Sequence, residues 1–402
     1  MKKIKSENQI LIMLAFFSVS MGLWENFRQL WLQDNNFSVT NISNIISIGT
    51  LVSVFGIMFV GKYIKLKSLK AFVTLSLIVK FLNLLILFNL KNTANIFLIN
   101  FAIIVDILTG YIITTSIYPL ITTIIKNNTI YSKRKLTEYL FKDIGVLVGG
   151  VLIGKNVLGV FVDYNFCLYI SIIFLGLSII FMMNMTAGKV DEYKEEKKFT
   201  IYKYILKNKI QYIYVIYSFV GAIAFSTALG LKMLTFTNYL NFTDSEATNY
   251  LLIIGLIADV IGILALRYFT PKNDYITITI KFGIRFIGYL IAFLSNNVVV
   301  TLVAITWSIL ISKGYENICD GYYINSVENK YQLEFTNFRY IIKYLGEAVG
   351  IFLCGIMYEI GLRYMFGLSA FFLIFQIGLA YYLIYLRTNC KKEGIKQNES
   401  RS

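Results

Sequence analysis

Long apolar stretches, separated by short connections that are either Lys-rich or nearly uncharged, run from end to end of this 402-residue chain. No other feature limits its fold so strongly. A helix needs about 20 apolar residues to cross a hydrocarbon core about 30 Å thick. Twelve such stretches are present, over about 10–32, 42–62, 71–90, 95–120, 138–160, 164–185, 211–233, 248–269, 274–295, 298–322, 339–360 and 364–386, here spans 1 to 12. Composition agrees, with 57% apolar and 15% charged residues, where an ordinary soluble domain has about 45–50% and about 25%.

Loop charge fixes the orientation, since short cytoplasmic connections retain Lys and Arg. Lys2, Lys3 and Lys5 precede span 1, Lys62, Lys65, Lys67 and Lys70 follow span 2, and Lys126, Lys133, Arg134 and Lys135 follow span 4. The alternate loops are nearly free of cations. VDEYKEEKKFTIYKYILKNK after span 6 and RTNCKKEGIKQNESRS at the end are again Lys-rich. Both termini are therefore expected in the cytoplasm, which requires an even number of spans. This alternation also supports spans 5 and 10, the most polar of the set. The N-terminal run continues through Trp24, Glu25 and Arg28 without a small-residue cleavage site, so it reads as an uncleaved first helix.

The same distribution disposes of other classes. A net charge of +15 raises the question of nucleic acid, but the cations lie between apolar stretches rather than along one polar face. Cys167, Cys319, Cys354 and Cys390 have no ligand spacing, and the chain has no histidine, so neither a metal site nor a cofactor is expected. No Gly-x-Ser-x-Gly nucleophile turn and no Gly-x-x-x-x-Gly-Lys-Ser/Thr phosphate loop occurs, which argues against an enzyme and an ATP-driven pump.

An internal repeat divides the chain. EYLFKDIGVLVGGVLIG from Glu138 aligns without gaps on RYIIKYLGEAVGIFLCG from Arg339, matching Tyr139, Lys142, Gly145, Val148, Gly149, Leu152 and Gly154 with Tyr340, Lys343, Gly346, Val349, Gly350, Leu353 and Gly355. Gly49 and Gly56 match Gly255 and Gly262, and Lys80-Phe81-Leu82 matches Arg285-Phe286-Ile287. The reading is therefore an all-α membrane protein of twelve transmembrane helices in two pseudo-symmetric six-helix bundles. Residues 1–186 form the first bundle, 187–210 a basic cytoplasmic linker, 211–388 the second bundle and 389–402 a cytoplasmic tail.

Twelve spans, cytoplasmic termini, a parallel six-plus-six repeat and a basic central loop resemble the major facilitator superfamily over essentially the whole chain. That family's loop after its second helix carries an acid, but here Lys65 stands where the Asp would be and Ser68 where the second Gly would be. The Gly-x-x-x-Gly-Pro-x-x-Gly-Gly pattern of the family's exporters is matched by Gly145, Gly149 and Gly154, with Gly150 replacing the Pro and Ile153 one Gly. The partial match favours export. The same small residues also let helices approach closely whatever is transported, and their recurrence in span 11 weights helix packing for Gly145, Gly149, Gly154, Gly346, Gly350 and Gly355.

An ionisable side chain at mid-bilayer costs roughly 2.5–3.5 kcal/mol on insertion scales, so each needs a partner, water or a function. The acids at that depth are Glu25, Asp106, Asp259, Glu316, Asp320 and Glu347, and the bases Arg28, Lys80, Lys281, Arg285 and Lys313. Near balance in sign points to paired charges rather than a pocket tuned to one sign. The resemblance implies that spans 1, 4, 7 and 10 line a central cavity, which gives Glu25, Arg28, Asp106, Lys313, Glu316 and Asp320 as the substrate and proton-coupling set. Glu25 with Arg28, and Lys313 with Glu316, are spaced to pair within one helix. Lys80, Asp259, Lys281, Arg285 and Glu347 read as charge-pairing or gating residues, with Asp106 a candidate partner for Lys80 and Asp259 or Glu316 for Arg285. With no histidine, proton coupling falls to Asp106, Glu25 or Glu316.

The function implied is a monomeric secondary transporter in a bacterial inner membrane, moving a small molecule by alternating access with protons as the coupling ion. Uptake of a small polar or lipid-linked solute is the alternative within transport. A non-transporting membrane sensor or scaffold is the alternative of another class.

Overall fold

The structure is a computed structural model describing residues 6–63, 68–90, 95–124, 129–153, 156–157, 160–161, 163–185, 205, 207–268, 274–295, 297–310 and 332–399. With no water in a bilayer core, backbone groups must be satisfied within each segment, so spanning segments are helical. Twelve helical spans are present among the described residues. Spans 1–4, 6, 7, 11 and 12 are each long and apolar enough to cross a membrane. Their hydroxyls are absorbed locally: Thr50 donates to the Ile46 carbonyl at 2.9 Å and Ser53 to that of Gly49 at 2.7 Å.

Spans 2, 3, 4 and 6 run over Val39–Tyr63, Leu69–Asn89, Ile96–Ile124 and Tyr164–Asn184. Span 1 is broken into Ser6–Glu25 and Arg28–Asp34, and span 7 into Lys209–Leu229, Lys232–Leu234 and a π-helical turn, Thr235–Tyr239. Asn36 (φ 63°) and Asn241 (φ 56°) follow these short pieces in the left-handed region that Asn tolerates best among non-glycine residues. The two Asn stand at the same sequence separation as Lys80 and Arg285, so the repeat extends to the breaks.

Several boundaries differ from expectation. Span 5 is helical over Thr129–Leu152 rather than 138–160, because the apolar window merged it with a small antiparallel ladder, Asn156–Val157 on Val160–Phe161. Span 12, Leu362–Glu399, carries the expected tail on as helix, its Lys-, Glu- and Gln-rich sequence being helix-compatible. Span 8 starts at Asp244 in a capping box, Thr243 Oγ1 accepting from the Glu246 N–H at 3.3 Å while Glu246 Oε2 accepts from the Thr243 N–H at 2.8 Å. The Thr243 hydroxyl donates to the same Oε2 at 2.8 Å, and together with the Thr243 N–H it holds the exposed Glu246 carboxyl below its ordinary value. Spans 9, 10 and 11 are helical over Asp274–Leu294, 298–310 and Gln332–Ile360. Gly361, with φ 152°, makes the turn into span 12 in a conformation that favours glycine. Most of the expected linker lies outside the described residues.

The chain divides into two compact units. The first comprises Met1–Glu195 with Leu231–Ile253, the second Glu196–Gly230 with Ile254–Ser402. Within the first unit Lys232–Leu234 packs on Arg28–Asp34. In the first unit span 1 packs against spans 5 and 6, and span 3 against span 6; in the second, span 7 packs against spans 11 and 12, and span 9 against span 12. The pairing pattern is the repeat in three dimensions.

Glycines make these contacts close. A Cβ on Gly22 would lie 3.1 Å from the Gly145 Cα, and one on Gly145 would run into the Val19 carbonyl. Gly149 sits against the Phe27 ring. In the second unit a Cβ on Gly346 would lie 2.5 Å from the Phe219 carbonyl oxygen and one on Gly350 2.7 Å from that of Ile223. Gly355 is buried, and Gly154 lies outside the described residues. Hydroxyls add to the span 1–6 contact: Ser171 donates to the Ser20 carbonyl at 2.9 Å and Ser178 to that of Met13 at 3.1 Å, each worth about 0.6 kcal/mol within a membrane.

Candidate functional site

The break in span 1 sets the site. An unbroken helix would put Glu25 and Arg28 on one face, but the helix stops at Glu25 and restarts at Arg28, and the two do not pair. Each instead reaches a different span. Glu25 Oε2 accepts from Lys142 Nζ of span 5 at 2.5 Å, with side chains 28% and 40% exposed respectively. Arg28 turns to span 4, where Nη1 donates to Asp106 Oδ2 at 2.9 Å.

Asp106 is the centre of a buried cluster from spans 1, 3 and 4. Its Oδ2 also accepts from Trp24 Nε1 at 2.9 Å, and its Oδ1 takes a direct ion pair from Lys80 Nζ, which donates as well to the Asp106 carbonyl at 3.0 Å. Asp106 is 0% exposed, Lys80 1% and the Arg28 side chain 12%. Gly110, one turn on, leaves room for the ammonium, since a Cβ there would lie 3.4 Å from Lys80 Nζ. Every strong contact of the carboxylate is charge-assisted or buried, the condition under which a hydrogen-bonded ion pair in low dielectric holds its geometry. Two cations face one carboxylate, and Arg28 Nε is buried with no acceptor among the described residues.

At one end of the same unit, Leu231–Ile253 docks through polar groups. The Tyr164 hydroxyl donates to the Asp244 carboxylate, Ser245 Oγ donates to the Gly150 carbonyl at 2.7 Å, and Gln33 Nε2 reaches Asn238 Oδ1 at 3.4 Å. Thr248 lies directly over Gly150, its Cβ 3.0 Å from where a Gly150 side chain would begin. The glycine that replaces the exporters' Pro thus has a contact of its own.

In the second unit Arg285 of span 9 is 6% exposed. No described carboxylate faces it, and its expected partners, the Asp259 side chain and Glu316, lie outside the described residues. Its guanidinium lies instead 5.2 Å from the Phe225 ring centroid and 5.5 Å from that of Tyr289. Arg339 is stacked similarly, 5.6 Å from the Tyr214 ring. Glu347 is half-buried on span 11, next to Gly346. The side chains of Asp259 and Lys281, and all of Lys313, Glu316 and Asp320, lie outside the described residues. No group of three metal-binding side chains occurs among the described residues.

Lys80 with Asp106 is thus the sequence-compatible pair that the fold assembles. Lys142 and Gly22 were not assigned roles from sequence. For Lys142 a signal existed: it repeats as Lys343, one turn before the packing glycine in each half. Trp24 carried no signal separating a hydrogen-bond donor from a packing aromatic.

Two repeated six-helix sets, with a broken first helix in each, give this chain the fold of the major facilitator superfamily. Among solved structures, a mutant of the nucleoside transporter NupG matches with a TM-score of 0.71 at 12% identity, covering 95% of this chain and 99% of that one. A bacterial homologue of the human lysosomal transporter Spinster, inward-facing and occupied, gives 0.70 at 11% identity over 94% and 96%. A D-xylose–proton symporter gives 0.67 at 9% identity over 94% and 95%. No protein-family profile matches the sequence, and no curated protein does.

Proposed function

We propose that this chain is a secondary transporter that carries a small molecule across a bacterial inner membrane by alternating access, driven by protons and working as a monomer with both termini in the cytoplasm. The observation that carries the proposal is the Trp24–Arg28–Lys80–Asp106 cluster, an ionic site built at membrane depth by three spans of a repeated bundle. Purely structural burial of three charges there is expensive, whereas a site that must hold a polar solute needs them.

Glu25 is the proton carrier in this reading. Its side chain is 28% exposed, and its carboxylate has one cationic partner, Lys142, on a neighbouring span. Asp106 is instead engaged by three donors. Glu316, Lys313 and Asp320 complete the proposed cavity set from span 10, and Asp259, Lys281 and Glu347 serve gating. Gly145 and Gly149 are accounted for by contact with span 1, so the exporter-like pattern carries no direction and the assay is run both ways.

The test is proton movement in energised inside-out and right-side-out vesicles as pooled drugs, amino acids, sugars, nucleosides and lipids are added, comparing wild type with Glu25→Gln. The expected result is solute-dependent loss of the proton gradient in one orientation, abolished by the substitution. Wild-type-like proton movement in Glu25→Gln would remove Glu25 from the coupling path.

A further inference from the structure

Counted along the sequence, acids and bases at membrane depth nearly balance, but among the described residues their pairing does not. In the first unit Lys80 and Arg28 share the single carboxylate of Asp106. In the second, the position equivalent to Lys80 is Arg285, and the repeat has supplied it with no carboxylate among the described residues. Its surroundings are aromatic: Nε lies 3.4 Å from the Tyr289 hydroxyl, and the guanidinium stacks on Phe225 and Tyr289. One guanidinium nitrogen, Nη2, is buried with no acceptor among the described residues.

A buried guanidinium with an unsatisfied donor is costly, and ring faces offset that cost only in part. A guanidinium also presents a planar fork of donors that fits a carboxylate or phosphate with two parallel hydrogen bonds. The path to it is set by packing. Span 7 turns Gly221 to Gln376 of span 12, and Ile223 and Ser226 to Gly350 of span 11. The face left over carries Phe225, which is 44% exposed and lies over Arg285. The guanidinium is therefore one aromatic layer below an open face of span 7.

We propose that Arg285 is an anion-recognition residue and that the transported molecule carries a carboxylate or phosphate, which docks on Nη2 when the Phe225 ring moves aside. This deepens the transporter reading and rests on it for the word transported. The binding site itself does not need transport.

The test uses the purified full chain in detergent, melted with benzoate, phenyl phosphate or neutral benzamide, as wild type, Arg285→Gln and Arg285→Lys. Without added anion, Arg285→Gln should melt higher than wild type, because a buried guanidinium with an unsatisfied Nη2 has gone. Benzoate or phenyl phosphate should raise the wild-type melt and benzamide should not. Arg285→Gln should lose the anion response, a fall in affinity of about 10- to 100-fold for a charge-assisted hydrogen bond, and Arg285→Lys should weaken it. The proposal is overturned by equal shifts from benzoate and benzamide, by no anion-dependent shift, or by an unchanged response in Arg285→Gln. It is equally overturned if Arg285→Gln melts lower and Asp259→Asn or Glu316→Gln restores it, which assigns an internal ion pair. An anion-dependent melt without solute transport keeps the site and removes the transporter reading. Transport of neutral solutes untouched by Arg285→Gln does the reverse.

Discussion

Replacing Asp106 by Asn tests the buried cluster most sharply, because the substitution keeps shape and removes one charge. In the wild type, two cations and one carboxylate leave a net charge of +1 among side chains that are 0%, 1% and 12% exposed. Asp106→Asn leaves +2, with Lys80 1% exposed and without its ion pair. Breaking a buried pair by removing one partner costs about 3–5 kcal/mol. For a unit of this size about 1 kcal/mol corresponds to roughly 2–4 °C, so the melt should fall by about 6–20 °C. Lys80→Met is the informative contrast, since it leaves Asp106 with Arg28 and Trp24 and brings the cluster to neutrality. Its cost should be well below that of Asp106→Asn, and the double variant, back at +1, should recover at least half of the loss. Buried cysteines provide the assay. Cys167 in the first unit and Cys354 in the second are both 0% exposed, so with the other three cysteines changed to Ser, a thiol-reactive dye on Cys167 reports the first unit's unfolding. An Asp106→Asn melt within about 2 °C of wild type, or Lys80→Met as damaging as Asp106→Asn, would show that the Asp106 carboxylate does not offset the buried cations.

Further predictions concern packing and capping. Gly145→Ala should cost about 1–3 kcal/mol in the Cys167 melt, because its Cβ meets the Val19 backbone carbonyl. Gly378→Ala, with nothing within 4 Å of the added Cβ, should be neutral or stabilising by up to about 1 kcal/mol; equal losses at the two sites would contradict the close-approach account of span 5. At the start of span 8, the Glu246 carboxyl sits below its ordinary value because it accepts from Thr243. Its capping contribution is therefore present above the unfolded-state value and is lost as pH falls through the lower folded one. Amide protection at Glu246 and Ala247, corrected for intrinsic exchange, should fall on acidification below 4.5, the ordinary value, and Glu246→Gln should flatten that dependence. A pH dependence that survives Glu246→Gln would place its source elsewhere.

The spans were legible because apolar length alone demands them in a bilayer, and the repeat was legible because close helix contact admits few residues besides glycine. Gly145 and Gly346 carried that constraint in the same frame, and span 1 and span 7 are the partners they meet. The ionic site was legible only as a set of residues. Asp106 draws its partners from Trp24, Arg28 and Lys80, on two other spans, and hydropathy carries no information about which faces meet. The Glu25–Arg28 spacing misled because it assumed a continuous helix. The break after Glu25 has no Pro or Gly to announce it, and Phe27 in the break packs on Gly149 of span 5. The docking of Leu231–Ile253 was likewise invisible, resting on groups such as Tyr164 and Asp244 that are unremarkable in sequence.

Solute counterflow is the decisive assay for alternating access by this chain, because it needs neither a gradient nor knowledge of the coupling ion. Liposomes holding the purified chain are preloaded with an unlabelled pool of nucleosides, sugars, amino acids and organic anions, then diluted into traces of the same solutes labelled. An alternating-access transporter predicts transient accumulation of at least one labelled class above its equilibrium level, absent from protein-free liposomes. No accumulation of any class, from protein whose Cys167 and Cys354 melts are intact, would contradict the account and leave a non-transporting membrane protein with the superfamily's fold.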